Sequence, residues 1–251
     1  MKEHDLTDML KEWPHESGRI NVRRIAGRDG RPKLQVRIDL GIIQMEMEGR
    51  PDGRRPEGFA SLLDYQKDRL ARYGEQSGGS DGFVLSADEC RALREEAVQY
   101  YHRYVGLLAL GDYTGVVRDT TRNLEVFDLC RDFAADEGDR TVLEQFRPYV
   151  IMMQARGEAE QALAAGGTRE AVAAIDGGLD GIRQVFEQAG QAAEFDEANE
   201  VQLLRGMRDA LVPKLPVSQR MELQERLQAA IDAENYELAA MLRDELRLLK
   251  E

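Results

Sequence analysis

Aromatic residues, histidine and cysteine are scarce in this chain of 251 residues, and each shortage narrows what the chain can be. Phe, Tyr and Trp together make up 6% of the residues, which favours a core of helices packed through Leu, Ala and Val. His4, His15 and His102 form no pair at ligand spacing with one another or with cysteine, which argues against a structural zinc site. Cys90 and Cys130 stand far apart in the sequence and are expected to be free thiols in a reducing compartment.

Long hydrophobic runs are also absent. No stretch of about 18 apolar residues occurs, so no membrane span is expected. Residues 1–16 are polar and acidic and lack the apolar segment of a secretory signal. The predicted location is therefore the cytoplasm.

Recognisable catalytic and phosphate-binding motifs are missing as well. The glycine-rich segment 177–181 lacks the lysine and hydroxyl of a Walker loop and falls within a helical pattern. No serine elbow and no Cys-His-Asn arrangement can be assigned. Acidic pairs such as Glu95-Glu96 are numerous and are expected to lie on solvated helix faces. We predict no catalytic residue, no metal and no cofactor, and we expect that the chain is not an enzyme.

Basic residues are fewer than acidic ones, 34 against 47, and the balance changes along the chain. The formal net charge of −13 opposes unspecific binding to a phosphate backbone. Residues 19–55 nevertheless hold ten basic and five acidic residues, whereas residues 75–251 hold 19 basic and 34 acidic ones. Two interpretations of this basic segment stay open: it forms a solvated sheet surface, or it binds an anionic partner.

Residues 1–74 are predicted to form a small α/β head. The pattern predicts an amphipathic helix at 3–12 and alternating strands at 20–25, 34–40 and 43–47. Asp29-Gly30 is a turn signal between the first two strands. A small antiparallel sheet of this kind is marginal alone, so we expect a helix to cover its apolar face.

The segment 49–58, rich in glycine, proline and arginine, follows the strands. Arg50, Arg54 and Arg55 could offer guanidinium groups to a phosphate or carboxylate, which makes them a possible anion-binding set. Alternatively, they join the head to its own acidic body, for example to the helix bearing Glu96.

The rest of the chain has a helical pattern. We predict a flexible linker at 75–82, a helical-hairpin body at 83–215 and a last hairpin at 216–251. Three hinge segments look alike, at 108–124, 163–179 and 231–246, and the first resembles a single tetratricopeptide unit. The predicted fold class is α+β, mostly α: a small N-terminal antiparallel sheet followed by stacked antiparallel helical hairpins.

The segment 219–251 contains two amphipathic stretches hinged near Tyr236. On the first, Leu223, Leu227, Ala230 and Ile231 fall on one helical face. On the second, the residues that share a face are Ala239, Leu242, Leu246 and Leu249. Leu238, Met241 and Leu248 form a second apolar stripe on that helix, which must pack on the body, on a second copy or on a partner.

This segment resembles the UVR motif, the helical hairpin shared by the UvrB and UvrC repair proteins and by some partners of Clp proteases and protein-arginine kinases. The matching positions are Leu227, Ala230, Tyr236, Glu237, Ala239, Ala240, Leu242, Arg243, Asp244 and Leu246. The helicase motifs of UvrB, the nuclease motifs of UvrC and the zinc-finger cysteines of the kinase activators are missing, so the resemblance implies protein docking and not repair catalysis. The predicted docking residues combine motif positions with the second apolar stripe: Tyr236, Leu238, Met241, Leu242, Arg243 and Leu248.

Two functions follow as hypotheses. The first is a non-enzymatic scaffold or adaptor that docks a protein through the UVR-like hairpin, the partner being another such hairpin or a second copy. The alternative is an excision-repair accessory protein that binds nucleic acid through the arginine-rich head. The strands at 20–47 carry no aromatic residue on which bases could stack, which weighs against the alternative.

Overall fold

The computed structural model describes residues 5–212, 219–232, 239–240 and 242–243. The fold class is α+β, mostly α, as predicted, and the chain divides into two compact units, Met1–Asp209 and Ala210–Glu251. The strands are β1 (Asn21–Ala26), β2 (Pro32–Ile38) and β3 (Gly41–Glu46). The helices are α1 (Thr7–Glu12), α2 (Leu62–Ser77), α3 (Ala87–Leu110), α4 (Tyr113–Phe133), α5 (Glu137–Thr141), α6 (Arg147–Ala164), α7 (Thr168–Gln188), α8 (Asn199–Leu211) and α9 (Gln219–Asp232).

The three strands form an antiparallel sheet in the order β1-β2-β3. Gly30 adopts a φ of 76° in the turn between β1 and β2, a conformation that glycine adopts without steric cost. Leu34 of β2 and Met45 of β3 are buried with Leu107 and Val116 of the helices. A Cβ on Gly106 would lie 3.0 Å from the Leu34 side chain, so this glycine lets α3 approach the sheet closely. The expected helical cover of the apolar face is therefore confirmed.

The opposite face of the sheet is less solvated than the alternation predicts. Lys33, Gln35 and Arg37 of β2 are all buried. The guanidinium Nε of Arg37 donates to the carbonyl of Trp13 at 2.9 Å, so the chain before β1 covers this face. Polar side chains fill it because their hydrogen bonds are satisfied inside the protein.

The helices after the sheet pair through short turns. Ser86 caps α3, and the reciprocal bonds between Ser86 and Glu89 form a capping box. A turn of two residues, 111–112, joins α3 to α4, and 165–167 join α6 to α7. A Cβ on Gly178 would lie 2.4 Å from the Ala155 Cβ, so α6 and α7 pack at close range. The likeness of these pairs to tetratricopeptide units stays a prediction.

The segment predicted as a linker is partly regular. Residues 75–77 belong to α2, which ends at Gly78 in the left-handed conformation. Phe83 and Leu85, directly after the predicted linker, share one apolar core with Leu63 of α2 and Leu93 of α3. The head, linker and body boundaries at 74, 82 and 215 stay predictions about separable pieces of the chain.

The helices and the two cysteines can be compared with the expectations about membrane spans and free thiols. Throughout the part of the chain that the structure describes, every helix is too short or too polar to cross a bilayer. Cys90 and Cys130 are free thiols, and both are buried.

Candidate functional site

The C-terminal hairpin has its own small apolar core. Ala230 of α9 is buried together with Ala239 and Leu242, and Leu227 packs against them. The two alanines lack the bulk that would keep helical backbones apart, so the two stretches of the hairpin can meet at close range. Among the described residues of the hairpin, Leu242, with 2% of its surface exposed, is the largest buried side chain.

Ile231 lies beside this core without joining it. The sequence pattern places Ile231 on the same face as Ala230, but in the structure 44% of its surface is exposed. An α-helix turns by about 100° per residue, so the neighbour of a buried residue can face solvent. Ile231 is therefore an apolar side chain that a partner can reach.

The predicted docking residues divide into three groups. Leu242 is buried in the core of the hairpin, a position that stabilises the hairpin, and its contact with a partner stays a prediction. Arg243 is exposed beside it. The other predicted contacts lie outside the described residues: Tyr236, Leu238, Met241 and Leu248.

The arginine-rich loop does not present its three arginines together. The Arg50 side chain is 12% exposed, and its Nη1 lies 3.3 Å from a carboxylate oxygen of the buried Glu96 on α3. Its Nε lies 3.0 Å from the Asp52 carboxylate. For Arg50, these contacts agree with the second alternative, in which the loop arginines pair with acidic residues of the protein itself.

Arg54 and Arg55 remain at the surface of the loop. The Arg54 side chain is 82% exposed, and its Nε is 3.9 Å from Asp52. Arg55 donates from Nη2 to the carbonyl of Gly58 at 3.2 Å. Glu57, between Arg55 and Gly58 in the sequence, has a φ of 50°. This backbone conformation is strained for a residue with a side chain, so the loop has a defined shape.

Glu96 is the centre of a buried ionic cluster that the sequence pattern did not predict. Its carboxylate accepts from the backbone N–H groups of Leu62, at 2.9 Å, and Leu63, at the start of α2. A carboxylate is favourable there because the helix dipole places partial positive charge at the N-terminus. Arg122 of α4 also donates to Glu96. Burial lowers the pKa of Arg122 to about 9, which still leaves it charged at neutral pH.

A second buried pair lies on the same two helices. Arg103 of α3 donates from Nε and Nη2 to both oxygens of Asp119 of α4, at 2.6 and 2.7 Å. The Nη1 of Arg103 donates to the carbonyls of Glu46 and Gly49, at 3.1 and 2.7 Å. One guanidinium thus joins α3, α4 and the end of the sheet, and neither side chain of the pair is more than 1% exposed.

Much of the remaining positive charge of the head is also used internally. Arg23 stacks over the Trp13 ring at 4.1 Å and donates to Gln35. Lys33 forms ion pairs with Asp29 and Glu46. These contacts, with that of Arg50 to Glu96, engage three of the ten basic residues of segment 19–55 with other groups of the protein.

A signal for the buried cluster was present in the sequence. Glu96 and Arg103 follow Leu93 at intervals of three and ten residues, on the stripe that continues to Leu107. A charged residue at an apolar position of a helical period has to find a partner inside the protein. Glu96 was expected on a solvated face because acidic residues are so common in this chain, and its full burial corrects that expectation.

The three loop arginines are expected to contribute unequally to the free energy of unfolding. We expect Arg50→Ala to lower the free energy of unfolding by roughly 1–3 kcal/mol, because it removes one cation from a buried carboxylate. Arg54→Ala and Arg55→Ala should each change it by less than about 0.5 kcal/mol, since these side chains are exposed. Urea unfolding of the three single variants measures this, and equal effects would contradict the placement of Arg50.

The family comparison identifies the C-terminal segment. The family model described as UvrB/uvrC motif matches residues 221–251. Neither the curated proteins nor the solved structures include a match to this chain. The chain therefore carries a UvrB/uvrC motif at the hairpin where the sequence predicts it.

Proposed function

We propose that this protein is a non-enzymatic adaptor that docks a protein partner through its C-terminal hairpin. The observation that carries the proposal is the UvrB/uvrC motif at residues 221–251, folded around a core of Ala230, Ala239 and Leu242. A docking element needs an interior that fixes its shape and an apolar exterior that a partner can cover. Leu242 supplies the first and Ile231 the second.

The partner that fits best is another hairpin of the same kind, on a second copy of this chain or on a different protein. Two helical hairpins can each offer an apolar stripe to the other, which buries both. The second stripe predicted from the sequence, Leu238, Met241 and Leu248, would complete such a surface with Ile231.

An energy-transfer experiment tests the version with a second copy. Two preparations of the full chain, each with a different fluorophore, are mixed over a range of concentrations. We expect transfer that rises with concentration and that Ile231→Asp weakens at least tenfold in apparent affinity, because a charge would enter an apolar contact. Val98→Asp on α3, which replaces another exposed apolar residue, is the matched control and should leave transfer unchanged. No transfer at any concentration would exclude a second copy as the partner, and equal loss in both variants would exclude the hairpin face at Ile231 as the specific contact.

The repair-accessory alternative receives less support. It needs a positive surface on the head, and Arg23, Lys33 and Arg50 are engaged by other groups of the protein. We expect DNA binding no tighter than about 10⁻⁶ M at physiological salt, the range of unspecific phosphate contacts. Fluorescence anisotropy with single- and double-stranded oligonucleotides checks this, and submicromolar binding at that salt would restore the alternative.

The proposal assigns no catalytic step, cofactor or metal to the chain. The most buried charged side chains among the described residues, Glu96, Arg103 and Asp119, bind one another or other groups of the protein, which is a structural use. We also propose a cytoplasmic location, because two unpaired thiols are typical of a reducing compartment.

A further inference from the structure

Cys90 and Cys130 lie at the same level of two neighbouring helices. Cys90 is the fourth residue of α3, and Cys130 is the fourth residue from the end of α4. These helices are joined by a short turn at their other ends, so they run antiparallel and the two cysteines fall near the same open end of the pair. Both side chains are fully buried in one apolar core.

Backbone hydrogen bonds hold this end of the helix pair together. The N–H of Leu85, before α3, donates to the carbonyl of Phe133 at 2.8 Å. The N–H of Ala135, after α4, donates back to the carbonyl of Leu85 at 3.0 Å. The thiols lie one turn inside this short ladder, and both belong to the same apolar core.

We propose that Cys90 and Cys130 are a redox pair, and that a low-molecular-weight disulfide such as oxidised glutathione converts them to a disulfide that joins α3 to α4. Two thiols in one core, at the same level of neighbouring antiparallel helices, need little backbone movement to reach bonding distance. The inference does not depend on the docking function of the hairpin.

The reaction is two successive exchanges. One cysteine thiolate attacks a sulfur of oxidised glutathione, which breaks that disulfide and releases one glutathione thiolate. The second cysteine thiolate then attacks the mixed disulfide, forms the Cys90–Cys130 bond and releases the second glutathione. The two thiol protons of the protein end on the two glutathione molecules, and two electrons pass from the protein to the oxidant.

The burial of the pair limits its rate. Burial raises the pKa of the Cys130 thiol to about 12 and also raises that of Cys90, so the reactive thiolate is rare at neutral pH. We therefore expect oxidation to be slow while α3 and α4 are packed and to accelerate when this end of the pair opens. The pair would then fix the helices together after a stress that loosens them.

The test uses the full chain incubated with oxidised glutathione, with and without urea below the unfolding midpoint. Free thiols are counted by alkylation, and the intact mass distinguishes a disulfide from bound glutathione. We expect both thiols to disappear together, faster in urea, with no glutathione retained. The oxidised protein should melt roughly 5–10 °C higher, and reduction with dithiothreitol should reverse the shift.

Cys90→Ser is the matched variant, because it leaves Cys130 without a resolving thiol. It should retain one glutathione under the conditions that leave none on the natural chain. Glutathione retained on the natural chain, a covalent dimer, two thiols that survive oxidation in urea, or a lower melting temperature after oxidation would each overturn the proposal. The measurements on the natural chain decide it even if the variant does not fold.

Discussion

Replacing Asp119 with alanine is expected to lower the free energy of unfolding by about 3–5 kcal/mol, the usual result of removing one partner of a buried ion pair. The variant leaves Arg103, which is 1% exposed, without its two charge-assisted hydrogen bonds. It also removes the bond from the Arg118 Nε to the same carboxylate, at 2.9 Å. Chemical unfolding monitored by circular dichroism measures the loss.

Asp180→Ala is the matched control for this variant. Asp180 also pairs with an arginine of a helix, at 3.1 Å from Arg183, but the two side chains are 67% and 50% exposed. Such a pair contributes roughly 0–1 kcal/mol, because water and salt screen it. Similar losses in Asp119→Ala and Asp180→Ala would contradict the structural importance assigned to the buried pair.

Leu242→Asp is expected to unfold the C-terminal hairpin while the unit Met1–Asp209 stays folded. Leu242 is 2% exposed among Ala230, Ala239 and Leu227, so the variant buries a charge at a cost of roughly 3 kcal/mol or more. Hydrogen exchange should rise over 219–243 and stay unchanged over α3 and α4.

The comparison with Ile231→Asp separates folding from docking. Ile231 is on the same hairpin but exposed, so its variant should keep the natural exchange rates over 219–232 and lose only partner binding. If Leu242→Asp left the exchange rates of the hairpin unchanged, the assignment of Leu242 to its core would be wrong.

The parts of the fold that follow from local signals were predictable. The capping box at Ser86 and Glu89 marks the start of α3 because both partners lie within one turn. The alternation along β2 and the Asp29-Gly30 turn are also local signals, and together they define the antiparallel pairing of β1 with β2. The UVR-like hairpin was predictable because its pattern of small and apolar residues is continuous in sequence.

Contacts between distant residues were not predictable in this way. Glu96 meets Leu62, 34 positions earlier in the chain, and Arg122, 26 positions later, so nothing local indicates that its charge is satisfied. Arg37 is buried because the chain near Trp13 returns over the sheet, which an alternating pattern does not encode. The burial of Arg50 follows from the position of Glu96, so the loop could be interpreted only once both were placed.

Capture of partners from the cells that make this protein tests the central claim most directly. Four forms of the tagged chain are compared by quantitative mass spectrometry: the natural chain, a form ending at residue 212, Ile231→Asp, and Val98→Asp as the control. We expect at least one protein that binds the natural chain and the control equally and is lost from both hairpin variants. If the form without residues 213–251 captured the same proteins in the same amounts, the hairpin would not be the docking element.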